Sequence, residues 1–212
     1  MRLPLISLAL LMVAQIAARG VERRTQLVPR TLTLDEPDGI YDFGGATLKW
    51  AGRGDCSQRE SMPPMFVITA PRVTLRNATI VGAPDGIHIH SSGVILEHLI
   101  FPDVCEDAVT FKRGSRAATV RYCTFIDADD KVIQATDGRM HRVHHCEFRN
   151  CKRPLRCGPT TGARFYSNTL IDCYSGIRAN GRGSVTLIWE NSFTRVRHPV
   201  QRLDGAKIVS FR

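Results

Sequence analysis

The chain repeats itself about every two dozen residues. Short alternating segments end at Ile80, Phe101, Phe125, Phe148, Leu170 and Phe193, at intervals of 21, 24, 23, 22 and 23 residues. Five positions before each end stand Leu75, Leu96, Val120, Val143, Phe165 and Ile188; two before stand Ala78, Leu99, Cys123, Cys146, Asn168 and Asn191. Apolar or small groups recurring with period two are a strand pattern. A second register follows about five residues later. It reads Asp85-Gly86-Ile87, Asp107-Ala108-Val109, Asp130-Lys131-Val132, Arg153-Pro154-Leu155, Ser175-Gly176-Ile177 and His198-Pro199-Val200. Each repeat therefore holds at least two short strands separated by a tight bend. Such a unit buries its apolar face only against its neighbours. The expected fold is one all-β solenoid of about seven coils, with equivalent residues about 4.8 Å apart. A β-sandwich is the alternative, but it gives no reason for equivalent-position ladders.

Stacking sets out the rest of the chain. Inward ladders are expected for the aliphatic positions, for Cys123 on Cys146 and for Asn168 on Asn191. Cys151 and Cys173 fall three residues past strand ends on adjacent turns, and a disulfide between them is expected. Residues 21–41 do not repeat and read as a cap with a first strand, whereas Lys207 to Phe211 read as one more strand. Arg2, the apolar run Leu3 to Ala18 and the small residues Ala17, Ala18 and Gly20 make residues 1–20 a signal peptide. Residues 21–212 are then a single secreted domain, expected as a monomer with no membrane contact after cleavage. Seven cysteines fit an oxidising compartment, and their scatter argues against a zinc site.

A net charge of +9 points to an anionic partner, for which nucleic acid, anionic lipid and acidic polysaccharide all qualify. In the repeat alignment Asp85, Asp107 and Asp130 share one position on successive turns. Glu106, Asp129 and Asp103 lie beside them. Crowded carboxylates raise one another's pKa, and a hard divalent cation relieves that; oxygen ligands suit Ca2+. Lys131 follows Asp130, Arg153 takes the aspartate position one turn on, and Arg156 lies three residues further. Lys131 and Arg156, read as offset by two residues and one turn, are expected about 8 Å apart. His88, Lys112, Lys152 and Arg178 are further candidates for contact with an anionic chain.

At these residues the chain resembles the family 3 pectate lyases. The matching segments are Gly82-Ala83-Pro84-Asp85-Gly86-Ile87-His88, Asp103-Val104-Cys105-Glu106-Asp107-Ala108-Val109-Thr110, Asp129-Asp130-Lys131-Val132-Ile133-Gln134 and Arg153-Pro154-Leu155-Arg156. The resemblance implies a right-handed parallel β-helix, calcium dependence and β-elimination of polygalacturonate rather than binding to nucleic acid. It makes Asp85, Glu106 and Asp107 the acidic site positions. Asp103 and the Val104 carbonyl match a calcium site, with Asp127 as a backbone contributor. Lys131 and Arg156 match the basic pair. Arg153 replaces a usual lysine, and Cys157-Gly158-Pro159-Thr160 replaces a usual serine and Cys-Gly-Asn-Cys run.

The chemistry follows from the residue types. Removing a proton from C5 of a uronate needs a base and stabilisation of the resulting anion. Lys131 is expected to be the base, its pKa lowered by neighbouring cations and calcium, with Arg156 clamping the carboxylate. Two alternatives stay open at this point. A hydrolase on the same solenoid uses paired carboxylates and leaves the basic pair unexplained. A non-catalytic polysaccharide-binding module uses the charged face without turnover.

Overall fold

A computed structural model describes residues 24–54, 63–103 and 105–211. The expected signal segment and Val104 lie outside the described residues. The chain forms β1 (Thr25–Val28), β2 (Leu32–Leu34), β3 (Ile40–Trp50), β4 (Pro64–Ile68), β5 (Thr74–Val81) and β6 (Asp85–Ile89). Then come β7 (Ile95–Phe101), β8 (Asp107–Phe111), β9 (Thr119–Arg121), β10 (Thr124–Ala135), β11 (His141–His144), β12 (Glu147–Cys157) and β13 (Gly162–Tyr166). The last are β14 (Thr169–Ile171), β15 (Ser175–Asn180), β16 (Val185–Trp189), β17 (Ser192–Thr194), β18 (His198–Leu203) and β19 (Lys207–Ser210). No helix is present among the described residues.

Every pairing is parallel, and each strand pairs with its equivalent one turn away. The result is a β-helix of about eight turns with three faces. One face carries β2, β4, β6, β8, the second halves of β10 and β12, β15 and β18; we call it the groove face. A second, the back face, carries the first parts of β3, β5 and β7, then β9, β11, β13, β16 and β19. The third carries β1, the later parts of β3, β5 and β7, the first parts of β10 and β12, β14 and β17. The segment expected to be a cap is the first turn: β1 pairs with β3, and β2 with β4.

One residue makes the corner between the back and third faces. Asn77, His98, Tyr122, His145, Ser167 and Glu190 all have positive φ, between 52 and 57°. A left-handed non-glycine residue costs roughly 1–2 kcal/mol, so stacking must offset each corner. The core does so. Phe101, Phe125 and Phe148 stack at 5.1 and 5.0 Å, and Phe148 meets Phe165 at 5.7 Å. The asparagine ladder is also present: Asn168 Nδ2 donates to Asn191 Oδ1 at 3.0 Å and to the Val143 carbonyl at 3.0 Å.

The cysteine expectation needs correction. Cys151 and Cys173 are adjacent but are free thiols, as are Cys123, Cys146 and Cys157. Cys151 Sγ lies 3.1 Å from the Arg149 carbonyl and 3.7 Å from that of Phe125 one turn away, and Cys173 Sγ lies 3.4 Å from the Ile171 carbonyl and 3.6 Å from that of Phe148. Ladder packing thus satisfies them as small buried groups. Cys105, in contrast, is disulfide-bonded.

His141 belongs to the core. It is fully buried, stacks on Phe111 at 4.1 Å, and its Nδ1 has no hydrogen-bond partner. Burial depresses its pKa to about 4, against a smaller opposing hydrogen bond to the Asp137 carbonyl. The neutral ring is the folded form, so its contribution is complete above about pH 6.5 and is lost as pH falls toward 4. Replacing it removes that loss: in urea melts His141→Phe should lose about 3 kcal/mol less stability than wild type between pH 7 and pH 4. Parallel curves would contradict the buried neutral imidazole.

Candidate active site

Two columns of polar side chains run along the groove face. The first contains Asp85, Asp107, Lys131 and Arg153. Registers Asp107↔Lys131 and Lys131↔Arg153 define it, and the Asp85 carboxylate accepts the Asp107 backbone N–H at 3.3 Å. The second contains His88, Thr110, Gln134, Arg156 and Arg178, in continuous register. The columns lie three residues apart on each strand, yet their side chains touch. His88 Nε2 lies 3.0 Å from Asp85 Oδ2, and Thr110 Oγ1 donates to Asp107 Oδ2 at 3.2 Å. Arg156 Nη1 donates to Gln134 Oε1 at 3.2 Å. One surface therefore presents acids at one end and guanidinium groups at the other.

This corrects the expected alignment. Lys131, not Asp130, stands over Asp107. The third-to-groove corner is one residue longer in two turns: six residues separate Phe101 from Asp107 and Phe125 from Lys131, but five separate Phe148 from Arg153. A fixed spacing of five misplaces Asp130 by one. The pairing of β10 with β12 shifts register between Ala128 and Lys131, a β-bulge that sets Asp130 aside from the column. There it pairs with both Lys131 and Arg153. Lys131 and Arg156 are accordingly three residues and one turn apart, about 11 Å between Cα atoms.

The other expected site residues scatter. Asp103 accepts the Gly82 N–H at 3.1 Å, and Asp127 sits at an exposed left-handed corner, accepting from Asn150 Nδ2 at 2.8 Å. Glu106 is half-buried beside Asp107, its N–H donated to the Pro84 carbonyl at 3.1 Å. Lys152 is exposed at the corner before Arg153, and Lys112 follows β8 at its far end. No group of three or more metal-binding side chains forms among the described residues. The residues that sequence reasoning missed are Thr110 and Gln134; the contact of Thr110 with Asp107 across the columns and of Gln134 with Arg156 along its own column mark them.

The electrostatics centre on Asp107 and Lys131, both buried. Lys131 Nζ lies 3.3 Å from Asp107 Oδ1. The ammonium is the partner of that oxygen, which has no other among the described residues. Burial pushes the Asp107 carboxyl up to about 6; Lys131 pulls it down, and Asp85 adds to the rise. The expectation for Lys131 is reversed. Burial lowers its pKa, but the hydrogen bond that its ammonium donates to Asp130 and the charges of Asp107 and Asp130 outweigh this and leave it raised. Acids, not cations, are its nearest neighbours.

Residues 22–193 match the pectate lyase family. This chain belongs to it. Among curated relatives, the probable pectate lyases E of Aspergillus flavus and Aspergillus oryzae are each 35% identical over 160 residues, 71% of this chain and 59% of theirs. Probable pectate lyase D of Emericella nidulans is 41% identical over 105 residues, 47% of this chain and 39% of its own. The chain thus spans 59% of the length of the first of these pectate lyase relatives. Among solved structures, an alginate lyase from Paenibacillus sp. str. FPU-7 aligns with 94% of this chain and 97% of its own, at 9% identity and a TM-score of 0.43. The pectate lyase assignment rests on the sequence match and takes nothing from that alignment.

A prediction follows from Asp107. Its folded pKa lies above its unfolded value, so the protonated form favours folding below about pH 4, and this contribution disappears as pH rises through 6. His141 acts in the opposite sense over the same range, so wild-type and variant curves must be subtracted. With chelator present, Asp107→Asn should gain up to about 3 kcal/mol relative to wild type between pH 4 and pH 7 in urea melts. A difference independent of pH would contradict the raised carboxyl.

Proposed function

We propose that this chain cleaves polygalacturonate by calcium-assisted β-elimination, yielding unsaturated oligogalacturonides. The observation that carries the reading is the placement of buried Lys131 between Asp107 and Arg153, beside the Arg156–Arg178 step, on one face of a pectate lyase family fold. The acid end fits a hard cation. Asp85 and Asp107 supply oxygen donors only, with Asp107 Oδ1 buried and facing the Lys131 ammonium at 3.3 Å. When bound, Ca2+ supplies charge withdrawal from the uronate carboxylate, which acidifies the C5 proton.

The chain's own residues do the rest. Arg156, oriented by Gln134, holds a uronate carboxylate through its planar fork, and Arg178 extends that contact one turn on. Lys131 Nζ in its neutral form takes the C5 proton; the C4–O bond breaks, C4 and C5 become doubly bonded, and the leaving oxygen gains a proton. Arginine keeps its proton at all working pH values, so Lys131 is the base. Asp107 and Asp130 hold the Lys131 proton, which moves the optimum to alkaline pH. Secretion through residues 1–20 and action as a monomer belong to the same proposal.

One observation favours a second reading. A carboxyl near pKa 6, such as Asp107, is a competent general acid for hydrolysis. The product separates the two, because only elimination creates an ultraviolet-absorbing double bond. On polygalacturonate with Ca2+ at alkaline pH, wild type should give rising absorbance that a chelator abolishes. Lys131→Ala should lower kcat at least about 100-fold, assayed at a temperature where it stays folded, and should melt below wild type because buried Asp107 loses its ion-pair partner. Saturated ends alone would establish hydrolysis, and a Lys131→Ala enzyme with near-normal rate would remove Lys131 as the base.

A further inference from the structure

The outer surface of this solenoid balances its arginines turn by turn. On the back face Asp42, Arg76, Glu97 and Arg121 alternate in direct register. Arg76 meets Asp42 at 2.8 Å, and Arg121 meets Glu97 at 2.6 Å. Arg72 pairs with Asp38 at 2.6 Å, and Arg195 pairs with Asp172. Like charges directly opposite in a sheet destabilise it, and these ladders avoid that. Among the described strand pairings, arginine stands directly on arginine twice. One case is Arg156↔Arg178 in the groove. The other is Arg142↔Arg164, on the back face.

The back-face pair is not balanced by protein. Its ladder continues to Thr119 on one side and Leu187 on the other, with no acid. Neither guanidinium makes an ion pair among the described residues, and both are half-exposed. Arginine cannot escape by losing its proton. Arg139, exposed in the preceding loop, joins Arg164 at the rim of a cavity of about 260 Å³. Gly162 and Gly183 line that cavity. Two residues along the same strands, and so on the same face, His144, Tyr166 and Trp189 form a parallel stack at 4.7 and 4.2 Å.

The geometry points to a second anion-binding site on the back face, in which Arg142 and Arg164, with Arg139, hold successive carboxylates of an acidic polysaccharide while the aromatic row borders the chain. Stacked planar forks about 4.8 Å apart suit a polymer carrying one carboxylate per unit, laid along the helix axis. The aromatic border favours a sugar polymer over a bare inorganic anion. The identity of that polymer as polygalacturonate rests on the proposed function; the anion site does not. The site lies on another face from the groove, so it tethers the enzyme to its substrate without touching the reacting bond.

The test is affinity electrophoresis of the full chain through gels carrying polygalacturonate, with chelator present, beside a turnover assay on short oligogalacturonides with Ca2+. Arg142→Gln/Arg164→Gln should weaken retardation at least fivefold and leave oligomer turnover within twofold of wild type. Arg142→Ala/Arg164→Ala should do the same, and both should melt no lower than wild type, since a like-charge contact has been removed. Unchanged retardation in these variants overturns the proposal, as does a wild type that is not retarded. Tighter retention by gels carrying single-stranded DNA of equal charge overturns the polysaccharide assignment. Retardation lost in the variants, together with no turnover by wild type, sinks the elimination reading and leaves this face standing.

Discussion

Parallel backbone hydrogen bonds between successive turns hold each residue about 4.8 Å from its equivalent, and every side chain in this protein must answer to that spacing. Three answers recur. Apolar residues stack on their own kind, as in Phe101, Phe125 and Phe148. Buried polar residues bond along the ladder, as Asn168 does with Asn191. Charged residues alternate in sign, as in Asp42, Arg76, Glu97 and Arg121. A single cross-strand pair contributes about 0.2–1 kcal/mol. The stability of a column therefore comes from its length, and an unbalanced step within it stands out as a cost.

The groove departs from alternation, running Asp85, Asp107, Lys131, Arg153, and one irregularity sets where the sign changes. With a five-residue corner in β10, Asp130 would stand on Asp107, and three carboxylates would occupy one column. The longer corner brings Lys131 into the column instead and leaves Asp130 beside it, paired with Lys131 and Arg153. One extra residue thus turns a like-charge stack into an ion-paired one. It also buries an ammonium group between Asp107 on one turn and Arg153 on the next. Bulges that re-aim side chains are common beside active sites, and here the physical gain is visible in the charges.

Much of this was legible in the sequence, for a physical reason. Period-two apolar residues at equal intervals leave a stack of strands as the only way to bury each repeat, and the positions of Phe125, Phe148, Asn168 and Asn191 followed directly. Spacing across a corner was not legible, because a bend absorbs one residue without changing the apolar pattern on either side. That is why Asp130 was placed one position wrong while Arg153, after a five-residue corner, was placed correctly. The direction of the Lys131 shift failed for the same reason: a misplaced Asp130 hides the acids that hold its proton. Cys151 and Cys173 were correctly set side by side, but adjacency does not decide between a bond and two thiols turned toward carbonyls.

The order of charges along the groove has a consequence for what can bind there. At neutral pH Asp107 and Asp130 offset Lys131 and Arg153, so the middle of the first column carries no net charge toward an incoming anion. Asp85 adds a negative charge at one end, and Arg156 and Arg178 add two positive charges at the other. A uronate chain laid along the axis meets attraction at the arginine end and repulsion at the aspartate end. A cation joining the chain at the acid end, beside Asp85 and the ion-paired Asp107, offsets that repulsion under the proposed function. Under the proposed function, dependence on a divalent cation follows from the charge order of this chain's own residues, which a longer corner at Lys131 sets in place.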